Sequence, residues 1–494
     1  MSPDERVAEL LARFSGPQAC AAELLCDAHP AGAVAFTIVE PGLAARDLTF
    51  GELREESVRF AAVLADLGIG PGDAVGVLMG KSVDLVVALL GIWRRGAVHV
   101  PLFTALARPA IALRLRASAA KLVVVDADQR AKLAAGEEMP ADPPWRVVVA
   151  RGEPGIGQLS FDALMAAREP GDPGGRAVAV GGGGALVLLF TPGPAGVRVP
   201  LRALASFVTY LEFGLDVSAE DVYWNTGDPG WAYGLYHAIL APLAAGRRSL
   251  LLHAGFGPAL AWSVIERFGV TNLAAASTTY RDLRADPDAA PRGLALRRAS
   301  SAGEPLGPEA AAWSQEALGV VVREHYGQTE LGMVIANGWA DAVRAEVRPG
   351  STGRPLPGWR AAVLRDDADV PAGPDTPGRV ALDVAGSPLM WFRGYPGEPA
   401  RTAGRFTPDG RWYLTGDTGR VDADGFFSSP RNDFSREDPA EDAERPRAAV
   451  GVAGTRIGAR VSGRSLRLSR GRPRQPPPHS EPAPVRVPGL HGDP

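Results

Sequence analysis

Residues 121–126 read Lys121-Leu122-Val123-Val124-Val125-Asp126, an unbroken apolar run between two charged residues. A run of this length and β-branched content predicts a strand that is buried on both faces. Similar runs lie at residues 74–79, 97–102 and 185–190, and a helical apolar pattern over residues 85–93 separates the first two of these. Strands buried on both faces that alternate with helices predict an α/β fold with parallel strands and right-handed crossovers.

The composition is typical of a soluble globular protein, with 46% hydrophobic and 22% charged residues among 494. At ~150 residues per domain, this length predicts about three domain equivalents. The net charge of −4 provides no basic field that would favour nucleic acid or an anionic membrane. Only two cysteines are present, and no apolar segment follows the polar N-terminus, so we expect a cytoplasmic protein without a signal peptide. No run of ~20 apolar residues predicts a membrane span.

A polar stretch, Arg323-Glu324-His325-Tyr326-Gly327-Gln328-Thr329-Glu330, follows the apolar run Val320-Val321-Val322. The pattern predicts a strand that leads into a turn. The turn offers an aromatic ring, a glycine, an amide, a hydroxyl and a carboxylate, which suit a stacked base, an approaching phosphate and a Mg²⁺ ion. A polar surface loop after a buried strand is the alternative interpretation, so the choice depends on other motifs in the chain.

Three further segments accompany this stretch. They are residues 191–196 (Thr-Pro-Gly-Pro-Ala-Gly), 301–306 (Ser-Ala-Gly-Glu-Pro-Leu) and 413–417 (Tyr-Leu-Thr-Gly-Asp). In this order the segments resemble those of the AMP-forming adenylate synthetases, the ANL superfamily, and the resemblance covers about residues 48–417. The turn at residues 228–231, Asp-Pro-Gly-Trp, precedes an apolar helical pattern and resembles the acyl-CoA synthetase branch in particular.

The resemblance implies a large N-terminal α/β domain of the acyl-CoA synthetase type, with stacked parallel-sheet subdomains and a small β-rich subdomain. We expect the AMP-binding α/β subdomains over residues 1–350 and the β-rich subdomain over residues 351–427. Residues 428–494 are interpreted as a degenerate hinge and a disordered Arg- and Pro-rich tail, because few large apolar residues remain there to be buried. The family's C-terminal α+β domain is therefore expected to be missing or replaced by this tail.

The resemblance also implies an acid–CoA ligase that uses ATP, Mg²⁺ and CoA. Thr329 is expected to bond the α-phosphate and Glu330 to hold Mg²⁺, which makes these two the catalytic candidates. Tyr326 is expected to stack on adenine, and Asp417 to accept both ribose hydroxyls. The other nucleotide-binding candidates are Gly303, Glu304, Pro305, Gly327, Gln328 and Arg431.

Residues 191–196 resemble a degenerate form of the family's phosphate loop, in which Thr191, Gly193 and Gly196 remain. Prolines and an alanine replace the hydroxyl residues, and the lysine of the family's loop is absent. Arg198 is a displaced candidate to replace it. The family also has a catalytic lysine near its C-terminus. The only lysines of this chain are Lys81, Lys121 and Lys132, so none stands in that position.

These departures leave a second interpretation open, a non-catalytic module that binds AMP or an acyl-adenylate. An adenylation domain that serves a carrier protein is a third, although no carrier domain follows in this sequence. The sequence does not decide the acid, the thiol acceptor or the oligomeric state.

The acid-binding candidates are Trp231, Ala232 and Gly327. In acetate-specific relatives a bulky tryptophan precedes the glutamine of the motif that corresponds to residues 326–330. Here Gly327 stands in that position. Loss of the indole predicts a deeper apolar pocket that favours a medium-chain, branched or aromatic acid over acetate. The alternative is that another side chain, such as Trp231 or Tyr233, fills the space.

Overall fold

The computed structural model describes residues 1–191, 196–286 and 290–428. In chain order the strands of these residues are β1 (Val34–Val39), β2 (Ala45–Thr49), β3 (Ala74–Leu78), β4 (Val98–Pro101), β5 (Leu122–Asp126), β6 (Arg146–Ala150), β7 (Leu159–Ser160), β8 (Ala185–Phe190), β9 (Gly196–Pro200), β10 (Tyr223–Asn225), β11 (Ser249–Leu252), β12 (Asn272–Ala276), β13 (Arg298–Ala302), β14 (Arg323–Gln328), β15 (Gly332–Ala336), β16 (Arg354–Pro355), β17 (Ala361–Leu364), β18 (Gly378–Asp383), β19 (Trp412–Val421) and β20 (Phe427–Ser428).

The α-helices over the same residues are α1 (Pro3–Ser15), α2 (Phe50–Asp66), α3 (Val83–Arg94), α4 (Arg108–Ala117), α5 (Phe161–Ala166), α6 (Leu204–Thr209), α7 (Ala232–Gly234), α8 (Ala241–Ala245), α9 (Pro258–Arg267), α10 (Ser277–Arg284), α11 (Pro308–Ala317) and α12 (Pro399–Ala403). A π-helical segment, Leu235–Leu240, joins α7 to α8. In the described part of the chain, no helix combines the length and the hydropathy that a membrane crossing requires.

Within the described residues, one sheet has seven strands in the order β7-β6-β5-β3-β4-β8-β9. All neighbours in it are parallel except β8 and β9, which form an antiparallel hairpin. Strand β5, the apolar run at residues 122–126, is buried along its whole length between β3 and β6. Both-face burial is what a parallel sheet covered by helices requires, so the predicted α/β class is confirmed.

A second sheet of the described residues has nine strands in the order β16-β15-β14-β13-β12-β10-β11-β1-β2. Its central strands, from β14 to β1, pair in parallel, while β2, β15 and β16 add antiparallel edges. Buried side chains from both large sheets share one apolar core, which includes Phe36, Val77, Leu189 and Leu251. The two sheets are therefore layers of one folded body.

Each large sheet reverses its strand order at one strand. In the first sheet β3 lies between β4 and β5, and in the second β10 lies between β11 and β12. The crevice outside the carboxyl end of such a strand is the usual ligand-binding position in an open α/β sheet. The side chain of Lys81, just beyond β3, donates to the carbonyl of Thr226, just beyond β10, over 3.3 Å. The two reversal points are thus linked directly.

The register of β13 and β14 brings two of the sequence motifs to one edge of the second sheet. Ala302, the last residue of β13, pairs with His325 of β14. The segments that follow, residues 303–305 and 326–330, therefore start side by side, because parallel strands end at the same edge.

A smaller sheet completes the described fold, with four antiparallel strands in the order β17-β18-β19-β20. The ten-residue strand β19 includes Thr415 and Asp417. Its position carries the Thr-Gly-Asp motif to the edge where β14 ends, as the hydrogen bonds described below show. The subdomain boundaries at residues 350 and 427 stay predictions, and the predicted hinge and tail lie outside the described residues beyond Ser428.

Helix α2 begins with a reciprocal cap: the Thr49 hydroxyl accepts from the Glu52 amide at 3.2 Å, and the Glu52 carboxylate accepts from the Thr49 amide at 2.8 Å. This reciprocal pair satisfies donors that the first turn of α2 leaves free. The predicted strand at residues 320–322 is wrong in position, since β14 begins at Arg323 and carries the polar motif itself. Pairing with β13 and β15 on both sides outweighs the low strand propensity of these polar residues.

Candidate active site

The loop after β13 places Gly303 against an aromatic side chain. Its φ of +98° lies in the region that favours glycine, and a Cβ there would come within 2.9 Å of the Trp231 indole. The loop is held from α10, where the Ser277 hydroxyl donates to the Glu304 carbonyl at 2.6 Å and Arg281 binds the Glu304 carboxylate at 2.8 Å. Pro305 follows at an exposed position. The expected adenine loop and the expected acid residue Trp231 are therefore in contact.

Asp417 is bonded to two residues of β14. The Tyr326 hydroxyl donates to its Oδ2 at 2.5 Å, and the Gln328 amide donates to the same oxygen at 3.0 Å. The Gln328 amide also donates to the Thr415 carbonyl at 2.8 Å, and its oxygen accepts from the Tyr413 hydroxyl at 3.2 Å. The network fixes the side chains of β14 against those of β19.

Burial raises the pKa of the Asp417 carboxyl, although the bond from Tyr326, the charge of Arg405 and the bond from Gln328 act in the opposite direction. A carboxylate that is held by neutral donors in a desolvated place is a strong acceptor for further hydroxyl groups. The cis-diol of a ribose offers two such hydroxyls. The geometry of Asp417 suits the role that the motif predicted.

Gly327 lies at an irregularity in the pairing of β14 with β15, between Tyr326 and Gly327. A Cβ at this position would come within 2.2 Å of the Gly332 carbonyl oxygen and 2.8 Å of the Met333 sulfur. Backbone therefore occupies the direction in which a side chain would point, which gives a local reason for glycine here. The absence of an indole at residue 327 does not by itself create an empty space beside it.

Glu330 is held beneath the end of β14, with 4% of its surface exposed. The Tyr395 hydroxyl donates to its Oε1 at 2.5 Å, and the Arg405 guanidinium donates in turn to the Tyr395 oxygen at 3.1 Å. The neighbouring Thr329 is fixed by its carbonyl, which accepts from the Tyr236 hydroxyl at 2.9 Å. Tyr395 and Arg405 were not predicted from the sequence, since no motif spacing connects residue 330 to residues 395 and 405.

The structure suits a Mg²⁺ site in which the substrate supplies most of the ligands. No group of three or more acidic, His or Cys side chains in the described ranges could hold a metal ion. Glu330 provides one carboxylate, and a single carboxylate together with substrate phosphates is a usual protein share of a Mg²⁺ site. The donor set therefore fits the ion at Glu330.

Thr191 and Gly196, two of the predicted phosphate-loop residues, lie where the pairing of β8 with β9 ends. Gly196 pairs with Phe190, and a Cβ at Gly196 would come within 2.6 Å of the Leu188 side chain. The hydroxyl of Thr191 accepts from the Arg401 guanidinium of α12 at 3.3 Å. Gly193 lies outside the described residues, as does Arg431, the expected ribose or phosphate contact.

The acid candidates border a buried aromatic cluster. The ring centroids of Trp231 and Tyr233 are 5.8 Å apart, and Ala232, 6% exposed, begins α7. Behind them the Tyr210 hydroxyl lies 3.1 Å from that of Tyr233 and 2.8 Å from Nδ1 of His325. Trp231 and Ala232 thus lie at the border between the carboxyl end of β10 and the loop at Gly303.

These residues bring an aromatic ring, two carboxylates and a guanidinium together around the ends of β8, β13 and β14 and the middle of β19. Such an arrangement can bind a nucleotide and orient its phosphates beside an apolar acid. Positioning and charge neutralisation are the main protein contributions to reactions at phosphorus.

Comparison with known proteins supports the same conclusion. A family described as "AMP-binding enzyme" matches residues 25–395. The acetyl-coenzyme A synthetase of Bacillus subtilis (strain 168) is 31% identical over 387 residues, which cover 77% of this chain and 66% of that protein. The mitochondrial acyl-coenzyme A synthetase ACSM3 of Mus musculus is 28% identical over 390 residues, which cover 77% and 65%. The matches thus span slightly less than two thirds of these curated relatives.

Solved structures of similar fold include an acyl-CoA synthetase of Brucella canis, with a TM-score of 0.79, 38% identity, and coverage of 86% of this chain and 78% of that one. The anthranilate CoA ligase AuaEII in complex with anthranoyl-AMP has a TM-score of 0.73, but its identity of 23% shows a shared fold only. Because the family match takes in three quarters of the sequence, and the relatives are acyl- and acetyl-CoA synthetases, the resemblance seen in the motifs is confirmed, and this chain belongs to the AMP-binding enzyme family.

Proposed function

We propose that the protein is an AMP-forming acid–CoA ligase. In the first step an oxygen of the acid forms a bond to the α-phosphorus of ATP, and the bond from that phosphorus to the β-bridging oxygen breaks. Pyrophosphate leaves with the electron pair, and an acyl-adenylate remains. In the second step the thiolate of CoA bonds to the acyl carbon, and AMP leaves as the acyl–oxygen bond breaks. No protein nucleophile is needed, so binding and orientation carry the catalysis.

The single observation that carries this proposal is the contact of Asp417 with Tyr326 and Gln328 across β14 and β19. It brings the motifs at residues 326–330 and 413–417 to one point, although they lie about ninety residues apart in the chain. A ring and a carboxylate at that spacing suit an adenosine, with the base against Tyr326 and the ribose on Asp417.

The remaining roles follow from position. The Thr329 hydroxyl would bond the α-phosphate, and Glu330, whose carboxylate accepts from the Tyr395 hydroxyl, would hold Mg²⁺ together with phosphate oxygens. A Mg²⁺ ion there would neutralise phosphate charge. CoA is proposed as the thiol acceptor because the named relatives are coenzyme A synthetases.

The test is exchange of labelled pyrophosphate into ATP in the presence of single carboxylic acids. Exchange that depends on the acid supports the adenylation step, and thioester formation with CoA tests the second step. If no acid from acetate to long aliphatic and aromatic acids supports exchange in the full chain, the ligase proposal is wrong.

We infer that the acid is medium-chain, branched or aromatic rather than acetate. Support comes from Trp231 and Ala232, which lie at the apolar border of the site beside a buried aromatic cluster. The names of relatives include both acetyl- and acyl-coenzyme A synthetases, so they favour neither size of acid.

Acid size is tested by comparing kcat/KM for acetate, hexanoate, isobutyrate and benzoate. Trp231→Ala removes a large side chain from the border of the site and should favour the longer acids further, because each additional buried CH₂ contributes about 0.8 kcal/mol. A preference for acetate in the wild type, unchanged in Trp231→Ala, would contradict the inference.

A second candidate function is a non-catalytic module that binds AMP or an acyl-adenylate. The observation that favours it is the position of the lysines, none of which lies beyond residue 132, whereas the adenosine-binding candidates are all present. Calorimetric binding of AMP without any turnover would support it, and loss of that binding in Asp417→Ala would locate the site.

We further propose that the protein works in the cytoplasm, on small molecules and without a nucleic-acid partner. The net charge of −4 and the two buried free cysteines support this proposal. Cell fractionation with an antibody to the chain tests the location, and recovery with a membrane or secreted fraction would contradict it.

A further inference from the structure

The phosphate end of the site raises the question of which cation faces the β- and γ-phosphates. The sequence suggested Arg198, but this residue lies inside β9, opposite Leu188, with an exposed side chain. The hairpin ends two residues further along, at the pair of Phe190 and Gly196. At ~3.4 Å per residue, the backbone of Arg198 is therefore about 7 Å behind the hairpin end.

Arg401 reaches the hairpin end from a different element. Its Nη2 donates to the Thr191 hydroxyl at 3.3 Å, and its guanidinium carbon lies 4.2 Å from the ring centroid of Tyr395. In the described part of the chain both partners are uncharged, so its positive charge is not neutralised by them. Its side chain is only partly buried, which leaves the guanidinium open to a ligand.

Tyr395 connects Arg401 to the carboxylate at the other end of the phosphate path. Arg401 lies over the face of the Tyr395 ring, while the hydroxyl of the same ring donates to Glu330 and accepts from Arg405. Arg405 is itself fixed by a bond from its Nη1 to the Thr415 carbonyl at 2.7 Å. The ring of Tyr395 thus sets the separation between the Glu330 carboxylate and the Arg401 guanidinium.

We propose that Arg401 binds the β- and γ-phosphates of ATP, and hence the pyrophosphate that leaves, in place of the missing loop lysine. This inference rests on the proposed function and adds to it a binding residue on α12. Phosphates that extend from Glu330 towards Thr191 pass over the ring of Tyr395 and meet the guanidinium. An arginine fits this task because its planar fork bonds two phosphate oxygens at once.

The experiment is calorimetric titration of the full chain with ATP, inorganic pyrophosphate and AMP in Mg²⁺ buffer. Arg401→Gln should weaken binding of ATP and pyrophosphate by about tenfold, since a charged hydrogen-bond pair is lost, and should change AMP binding by less than about twofold. Arg401→Lys should fall between the two, because it keeps the charge but loses the fork.

Arg411→Gln is the matched control, since Arg411 also lies over an aromatic ring, that of Trp412 at 5.0 Å, but is exposed just before β19 and away from α12. It should leave all three affinities unchanged, and thermal unfolding of each variant checks that the fold is intact.

The outcomes separate this inference from the function on which it rests. An equal loss of AMP and pyrophosphate binding in Arg401→Gln, or no loss of either, overturns the role of Arg401. A wild-type chain that binds AMP but neither ATP nor pyrophosphate overturns it too, and leaves the AMP-binding module in place. A wild-type chain that binds none of the three ligands overturns both proposals.

Discussion

The proposed ribose end and the proposed phosphate end of the site differ in how their side chains are held. At the ribose end Tyr326 and Gln328 of β14 bond Asp417 of β19, so strands of two sheets hold the side chains. At the phosphate end the side chains come from a hairpin end, a strand end and the short helix α12, and a single ring, that of Tyr395, connects them. A site of this kind should recognise adenosine by a rigid framework and phosphates by a few long side chains. Substitutions at the two ends should therefore separate AMP binding from the reactions of ATP.

The largest effect is expected for Asp417→Ala. The change removes the proposed acceptor of the ribose hydroxyls and also leaves the half-buried donors of Tyr326 and Gln328 without their partner. Losses of this kind are worth about 3 kcal/mol or more, so AMP affinity should fall at least about a hundredfold in calorimetric titration. Asp409→Ala, at an exposed turn of the same sheet, is the control. AMP binding that survives in Asp417→Ala would mean that the ribose lies elsewhere.

Glu330→Gln should have the next largest effect, and at the other end. The amide oxygen can still accept from Tyr395, so the geometry is kept while the charge for Mg²⁺ is lost. Pyrophosphate exchange should fall by roughly 10- to 100-fold, while AMP affinity changes less than about twofold. Glu398→Gln, exposed beside α12, should change neither value. An equal fall in AMP affinity would contradict a division of the site into two ends.

The pH dependence of AMP binding provides a third comparison. Burial raises the pKa of Asp417 above 3.8, and the protonated carboxyl cannot accept both ribose hydroxyls. Below that raised pKa, AMP affinity should decline by up to about tenfold per pH unit, measured by titration from neutral pH downwards. Tyr326→Phe should move the decline to higher pH, because the Tyr326 hydroxyl lowers the pKa of Asp417. A midpoint that stays or moves to lower pH would show that another group controls it.

The effect of the same group on stability has the opposite sign. A carboxyl whose pKa is raised by burial weakens the folded state above its unfolded pKa, and this cost is relieved as the pH falls through the raised value. Asp417→Asn should therefore increase the free energy of unfolding near neutral pH even as it weakens AMP binding. Denaturant unfolding at two pH values measures the difference.

The smallest effect is expected for Thr191→Val. It keeps the side-chain volume and removes only the acceptor of the 3.3 Å bond from Arg401. Pyrophosphate affinity should fall about two- to threefold, and AMP affinity should not change, because a long neutral–charged bond at a partly exposed position contributes little. Ser160→Ala, which caps the distant helix α5, serves as the control for loss of a hydroxyl. A tenfold loss would mean that Thr191 contacts the phosphates itself.

The sequence was most informative where a residue's neighbours in the chain determine its environment. The unbroken run at residues 122–126 predicted a strand buried on both faces, and β5 is one. The cap of α2 is local in the same way, since its two partners, Thr49 and Glu52, lie within one turn. Register then explains why the motifs at residues 303 and 326 begin at one sheet edge.

The sequence was less informative where contacts join distant segments. Nothing in the spacing of Glu330, Tyr395 and Arg401 indicated that one ring lies between a carboxylate and a guanidinium. Gly327 did not reveal the tertiary contact beside it, in which the carbonyl of Gly332 lies where a side chain would point. The start of β14 at Arg323 rather than Val320 shows the same limit, since pairing with β13 and β15 and not local propensity decides it.

The parallel pairing of β1 with β11, in which Phe36 lies opposite Ser249, has a consequence for how the chain reaches its fold. The two residues are separated by about 210 positions, and such distant pairings are slow to form. During synthesis the apolar strand β1 emerges from the ribosome long before its partner exists, and at ~5–20 residues per second it waits for ten seconds or more. The antiparallel neighbour β2, only a few residues away, is available to cover one of its edges in that interval. An early β1–β2 hairpin would then leave fewer unpaired strand edges on the nascent chain, which reduces aggregation until the rest of the sheet has been synthesised.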